Sequence, residues 1–250
     1  MMTGYFSTIN LSKSFGGLKA VDRLSFSIPH GQIIGFIGPN GAGKTTVFNL
    51  ISGFIKPDSG QIMWKEQDIV GKKPHQIVNM GISRTFQLVK PFPELSLFDN
   101  LRIACYGSHF ASKKLDFHQI KDTICEIAKK TGLPQDLDQL ASNLGQGDLR
   151  LLDVARALIT KPNLLLLDEP FSGLSAVETQ KLAKIAQEIN HQGVTLLIIE
   201  HKLRELIKIV NRIVVINFGV KLTEGTPEEV VNHPQVIEAY LGTKVKYATT

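Results

Sequence analysis

The sequence predicts an α/β fold with a mostly parallel core sheet, an antiparallel addition near the amino end and an inserted helical segment. Four short, continuous apolar runs, at residues 33–37, 164–167, 194–199 and 213–216, have the pattern of strands covered on both faces. Leu24, Phe26 and Ile28 instead alternate with Arg23, Ser25 and Ser27, a period of two that marks a half-exposed strand of an antiparallel sheet. Helical spacing lies between the runs: Leu182, Ile185, Ala186 and Ile189 follow i, i+3, i+4, i+7, as do Ile120, Ile124, Ile127 and Ala128, each the pattern of a core-facing helix.

Taken in chain order, the amino-terminal strand leads into the first buried run and a helix-compatible stretch from Thr46. Residues 100–143 carry no strong strand run and read as the helical insertion. The three remaining core strands follow, and the tail opens at Thr226, where Pro227 with Glu228 and Glu229 behind it marks a helix start. The expected division is one unit, 1–250. Its catalytic core comprises about 1–99 and 144–225 and includes the antiparallel subdomain; helices occupy about 100–160 and the tail 226–250.

The chain has 250 residues, 43% apolar and 20% charged, values that exclude disorder and fibre and allow a sizeable core. Lys plus Arg at 28 against Asp plus Glu at 23 leaves a net charge of +5, and no run of five like charges occurs, which argues against a nucleic-acid partner. Cys105 and Cys125 form no C-x-x-C pair, so free thiols in a reducing compartment are expected. Residues 1–10 have neither a basic start nor a continuous apolar segment, and no stretch approaches the ~18 apolar residues of a span. The expected location is therefore cytoplasmic, with membrane contact made through a partner.

Gly38-Pro39-Asn40-Gly41-Ala42-Gly43-Lys44-Thr45 fits G-x-x-x-x-G-K-[ST], between a buried run and a helix-compatible stretch, the context that motif requires. Glycines let backbone N–H groups turn toward phosphate oxygens, the helix start adds positive potential, Lys44 reaches the outer phosphates, and the Thr45 hydroxyl can ligate Mg²⁺. The guanine-reading [NT]-K-x-D pattern is absent, which argues against a GTPase. Asp168 and Glu169 end the second buried run; the first can hold Mg²⁺ through water and the second can orient or deprotonate the attacking water. His201 ends the third, within reach of a terminal phosphate.

This ordered set resembles the nucleotide-binding subunit of ABC transporters, from Phe15 to about Gly242. The resemblance implies a P-loop NTPase fold of ABC type, ATP and Mg²⁺ as ligands, Glu169, His201 and Lys44 as catalytic residues, and Thr45, Gln87 and Asp168 around the metal. It further implies that Phe15 stacks on adenine, that Thr46 continues the phosphate loop, and that Gln87 couples the site to the membrane subunit. The family's L-S-G-G-Q signature aligns with Leu144-Gly145-Gln146-Gly147-Asp148, so a glycine stands in place of its serine. Ser175 stands in place of the Asp of the following loop.

Implied partners are integral-membrane permease subunits, a second ATP-binding subunit in a homodimer or heterodimer and, indirectly, a periplasmic or extracellular substrate-binding protein. Residues 84–92 and 236–242 look like importers of branched-chain amino acids and of urea or short amides. An exporter ATPase, or a non-transport ATPase or nucleotide-dependent adaptor with a weakened signature, is the alternative. Leu88, Val89, Phe92, Leu95, Leu97 and Phe98 are expected to cluster beside Gln87, as a docking groove for the permease or as packing for the insertion.

Overall fold

The computed structural model describes residues 5–106 and 116–241. Strands β1 (Phe6–Phe15), β2 (Leu18–Ile28), β4 (Ser59–Trp64) and β5 (Gln67–Asp68) form an antiparallel sheet in the order β2-β1-β4-β5. Strands β3 (Ile33–Ile37), β6 (Ile82–Arg84), β7 (Leu164–Asp168), β8 (Thr195–Ile199), β9 (Arg212–Asn217) and β10 (Val220–Gly225) form the second sheet, in the order β10-β9-β3-β8-β7-β6. Its pairs β9-β3, β3-β8, β8-β7 and β7-β6 are parallel, and only β10 runs antiparallel.

The four apolar runs are continuous because alternate residues serve two separate cores. Leu164, Leu166, Leu197, Ile199, Ile34 and Phe36 pack with Phe26, Trp64, Val47 and Phe48 against the antiparallel sheet and helix α1 (Lys44–Ile51). Leu165, Leu167, Leu196 and Ile198 point the other way, among helices α3 (Leu97–Cys105), α4 (Phe117–Thr131), α5 (Gln146–Ile159) and α6 (Ala176–His191). Burial on both faces is what parallel sheets require. A short helix α2 (Pro74–Asn79) precedes β6, and α7 (Leu203–Leu206), α8 (Pro227–Val231) and α9 (Pro234–Leu241) complete the described chain.

Helix α8 starts where the Pro and the acidic pair lie, with Thr226 as its cap accepting from the Glu229 amide. The helical insertion opens at Leu97, three residues before the expected position, because the Ser96 hydroxyl caps α3 by accepting from the Asp99 amide. Strand β1 escapes period-two reading because register shifts interrupt its pairing on both sides, with Asn10 at φ 48°. Among the described residues no helix is long and apolar enough to cross a membrane, and both cysteines are free.

Leu165 is fully buried in the helix-side core, so Leu165→Ala should remove about 2–5 kcal/mol of stability. That corresponds to a thermal midpoint lower by about 5–15 °C in a chain of this size. A calorimetric melt checks it, and an unchanged midpoint would contradict the packing described.

Candidate nucleotide-binding and hydrolytic site

The phosphate loop runs from the end of β3 into α1. A Cβ on Gly38 would collide with the Ile216 carbonyl oxygen, and one on Gly43, at φ 101°, with that of Ala20, so neither position admits a side chain. The Gly219 amide donates to the Ala42 carbonyl at 3.0 Å, which ties the β9–β10 turn to the loop. Helix α1 has no side-chain cap and no acidic residue in its first turn. Its first amides therefore lack an internal acceptor and suit an anion. Lys44 is buried, and its Nζ donates to the carbonyls of Gly38 at 2.7 Å and Pro39 at 3.0 Å. Burial lowers its pKa, with Glu169 and Asp168 acting in the opposite direction. Thr45 is exposed and Thr46 half-buried.

At the end of β7 the buried Asp168 carboxylate accepts from Arg84 at 2.7 Å through Oδ2, while its buried Oδ1 has no partner. Burial raises its pKa against the pull of Arg84. The next residue, Glu169, takes a left-handed backbone with φ 47°, and its amide donates to the Ile199 carbonyl. Its Oε2 accepts from Gln87 Nε2 at 3.0 Å, and its Oε1 lies 3.0 Å from His201 Nε2. Gln87, Glu169 and His201, from three separate segments, thus meet at one carboxylate.

Four further residues hold this arrangement, and sequence reading missed their roles. Arg150 donates to the carbonyls of Phe86 at 3.0 Å and Gln87 at 2.7 Å, and Asp153 accepts from the Phe86 amide at 3.0 Å. Together they fasten the Gln87 segment to α5. Buried Glu200 accepts from the amides of Phe171, His201 and Lys202, which fixes His201 relative to the loop after Glu169. The fourth is Arg84. In the sequence nothing separates a buried Arg84 or Arg150 from a solvated one.

Phe15 ends β1, a 49% exposed residue with Lys13 Nζ 5.6 Å from its ring centroid. Gly145 caps α5 without a side-chain bond. Gln146 packs over Gly173, and Gly147 packs against Glu178. Among the described residues no hydrogen bond joins 144–148 to the phosphate loop of the same chain. Ser175 is taken up as the cap of α6, accepting from the Glu178 amide and donating to Glu178 Oε2. The expected apolar cluster divides: Leu97 is buried and Phe98 packs on the core, whereas Leu88 is 74% and Phe92 44% exposed. A cleft of about 580 Å³ extends from Thr45 and Asp168 past Arg84 and Gln87 to Leu88.

The residues fit a hard cation that brings ligands of its own. The unpartnered Asp168 Oδ1 and the exposed Thr45 hydroxyl are oxygen donors, and among the described residues no group of three or more His, Cys, Asp or Glu could hold a metal. Phosphate oxygens would have to complete the shell, as is usual for Mg²⁺.

The family model for ABC transporters matches residues 21–172. The chain belongs to the ABC transporter family. It is an ATPase cassette that binds nucleotide, with the α/β P-loop fold expected from the sequence. A second model, described as a branched-chain amino acid ATP-binding cassette transporter, matches residues 220–246. The high-affinity branched-chain amino acid transport ATP-binding protein LivG of Salmonella typhimurium is 41% identical over 243 residues, covering 93% of this chain and 95% of that protein. BraF of Pseudomonas aeruginosa, described in the same words, is 39% identical with the same coverage. Among solved structures, a nucleotide-free ATP-binding cassette from an ABC transporter superposes with a TM-score of 0.87 at 31% identity, covering 95% of this chain and 99% of that one. The ADP conformation of the cassette MJ1267 gives the same TM-score and identity.

Burial also raises the pKa of Asp153, opposed first by its bond to Phe86 and then by Arg156 and Arg150. Folding therefore favours its protonated form, a contribution present below its ordinary value of 3.8 and lost as pH rises through the folded value. Asp153→Asn keeps an acceptor for the Phe86 amide and cannot ionise. Its thermal midpoint relative to wild type should climb as pH rises from below 3.8 to neutrality, and a constant offset would contradict the buried charge.

Proposed function

We propose that the chain is the ATP-hydrolysing subunit of an importer for branched-chain amino acids or a related small amino acid, urea or amide. ATP bound between it and a second ATP-binding subunit would drive integral-membrane permease subunits, which receive substrate from a periplasmic or extracellular binding protein. The observation that carries the reading is Glu169, fastened between Gln87 and His201 beside the buried Asp168. The substrate class rests on the likeness to LivG and BraF along 93% of the chain.

In this reading Phe15 stacks on adenine, and the loop amides from Gly38 through Asn40, Gly41, Ala42 and Gly43 to Thr46 enclose the phosphates. Lys44 exchanges the Gly38 and Pro39 carbonyls for the outer phosphates. Thr45, Asp168 and Gln87 hold Mg²⁺, which when bound offsets the charge of the phosphates. Glu169 orients water and accepts its proton, and His201 contacts the γ-phosphate. Gly145, Gln146, Gly147 and Asp148 face the nucleotide of the second subunit through the N-terminus of α5. The exposed Phe86, Leu88 and Phe92 meet the permease, which places the subunit on the cytoplasmic face of the membrane.

The first experiment is ATP hydrolysis by the chain, alone and with its permease. Glu169→Gln should keep nucleotide affinity within a few-fold and lower turnover about 10²–10⁴-fold, because an amide can still bond Gln87 and His201 but cannot take the proton. Near-normal turnover would remove Glu169 from that role, and indifference to the permease would favour a non-transport ATPase. Gly145→Ser restores a hydroxyl donor toward the partner's phosphate and should raise turnover about tenfold, since a bond to a charged group is worth about 1.5–3 kcal/mol. A lower rate would show that the glycine is no deficit.

A further inference from the structure

Arg84 carries more interactions than a residue of β6 needs to build a sheet. Its side chain is 6% exposed, and its NH2 holds Asp168 Oδ2 at 2.7 Å. NH1 is anchored on Asn49 Oδ1 at 2.7 Å and Ser52 Oγ at 3.2 Å, both at the carboxyl end of the helix that follows the phosphate loop. The guanidinium carbon lies 5.4 Å from the Phe48 ring centroid and 5.2 Å from that of Phe86, so the group is within cation–π reach of two aromatic rings. The consequence falls on the carboxylate. The terminal torsion of an aspartate is broad and nearly two-fold, and Arg84 fixes which oxygen is engaged, leaving Oδ1 buried and unpartnered.

We infer that Arg84 is the positioning residue of the metal-binding carboxylate. By occupying Oδ2 it keeps Oδ1 free for the metal's coordination shell, and its anchor on Asn49 ties that orientation to the helix behind the phosphate loop. The inference rests on the assignment of Asp168 to the metal made above. Partners of this kind, bonded to a ligand rather than to the ion, change metal affinity about 10–100-fold when removed.

The test separates metal from nucleotide. Binding of a fluorescent ATP analogue to the full chain is titrated in EDTA and then with increasing Mg²⁺, for wild type, Arg84→Gln, Arg84→Lys, Asn49→Ala and Asp168→Asn. Arg84→Gln should leave the metal-free affinity within twofold and raise the half-saturating Mg²⁺ about tenfold or more. Arg84→Lys, which keeps the charge without the fork, should recover part of that loss, and Asn49→Ala should give a smaller rise in the same direction. The proposal is overturned if half-saturating Mg²⁺ is unchanged or lower in Arg84→Gln, or if metal-free affinity falls in parallel. Should Arg84→Gln not fold, Arg84→Lys and Asn49→Ala decide by the same criterion. If Asp168→Asn matches wild type, the metal assignment itself fails and the inference with it; if only the Arg84 and Asn49 variants match wild type, the inference alone fails.

Discussion

A strand buried on both faces has no polar side of its own, and that constraint governs this cassette. Strands β3, β7 and β8 give alternate residues to two hydrophobic layers along their whole length, so chemistry can be placed only where they end. Parallel strands end on the same edge, which is why the phosphate loop after β3, the two carboxylates closing β7 and the histidine after β8 converge although far apart in the chain. The side chains gathered at that edge are held by their neighbours, because the strands themselves order only backbone groups. Glu200, Arg150 and Asp153 do this by capturing backbone amides and carbonyls.

Most of the architecture could be read from residue pattern because the constraint writes itself directly into composition. Unbroken Leu and Ile at 164–167 and 196–199 have no other economical reading where none of the described helices is long and apolar enough to cross a membrane, and the glycines at 38 and 43 are imposed by contacts with Ile216 and Ala20 that no side chain could survive. Short or irregular elements were illegible: β6 has three residues, and β1 changes register along its length. At the site, Lys44, Asp168, Glu169 and His201 follow from motif and position. The fastening residues do not, since a charged side chain looks the same in sequence whether it meets water or a buried carbonyl. Arg84, Arg150 and Glu200 acquire meaning only from what the folded backbone brings opposite them.

The signature segment illustrates how one substitution changes meaning once packing is known. In the sequence Ser175 stands out as the loss of an acid from a loop expected to work between subunits. In the structure its hydroxyl completes a capping box with Glu178, while Gly147 lies close against that same glutamate. The start of α6 is thus the surface against which the signature is seated. Gln146 over Gly173 adds a second point of contact, so the signature segment is packed against the loop that follows Glu169.

Lys44 also bears on which ligands can enter at all. Two carbonyl oxygens of its own loop accept from its ammonium in a buried setting. An incoming molecule must outbid two neutral dipoles, which a terminal phosphate can do through its charge and a nucleoside or a lone purine cannot. With Lys44 in the phosphate-binding role proposed above, the loop would favour anionic ligands whatever their base. Aromatic stacking at Phe15 would then add affinity to a choice already made at the phosphate end.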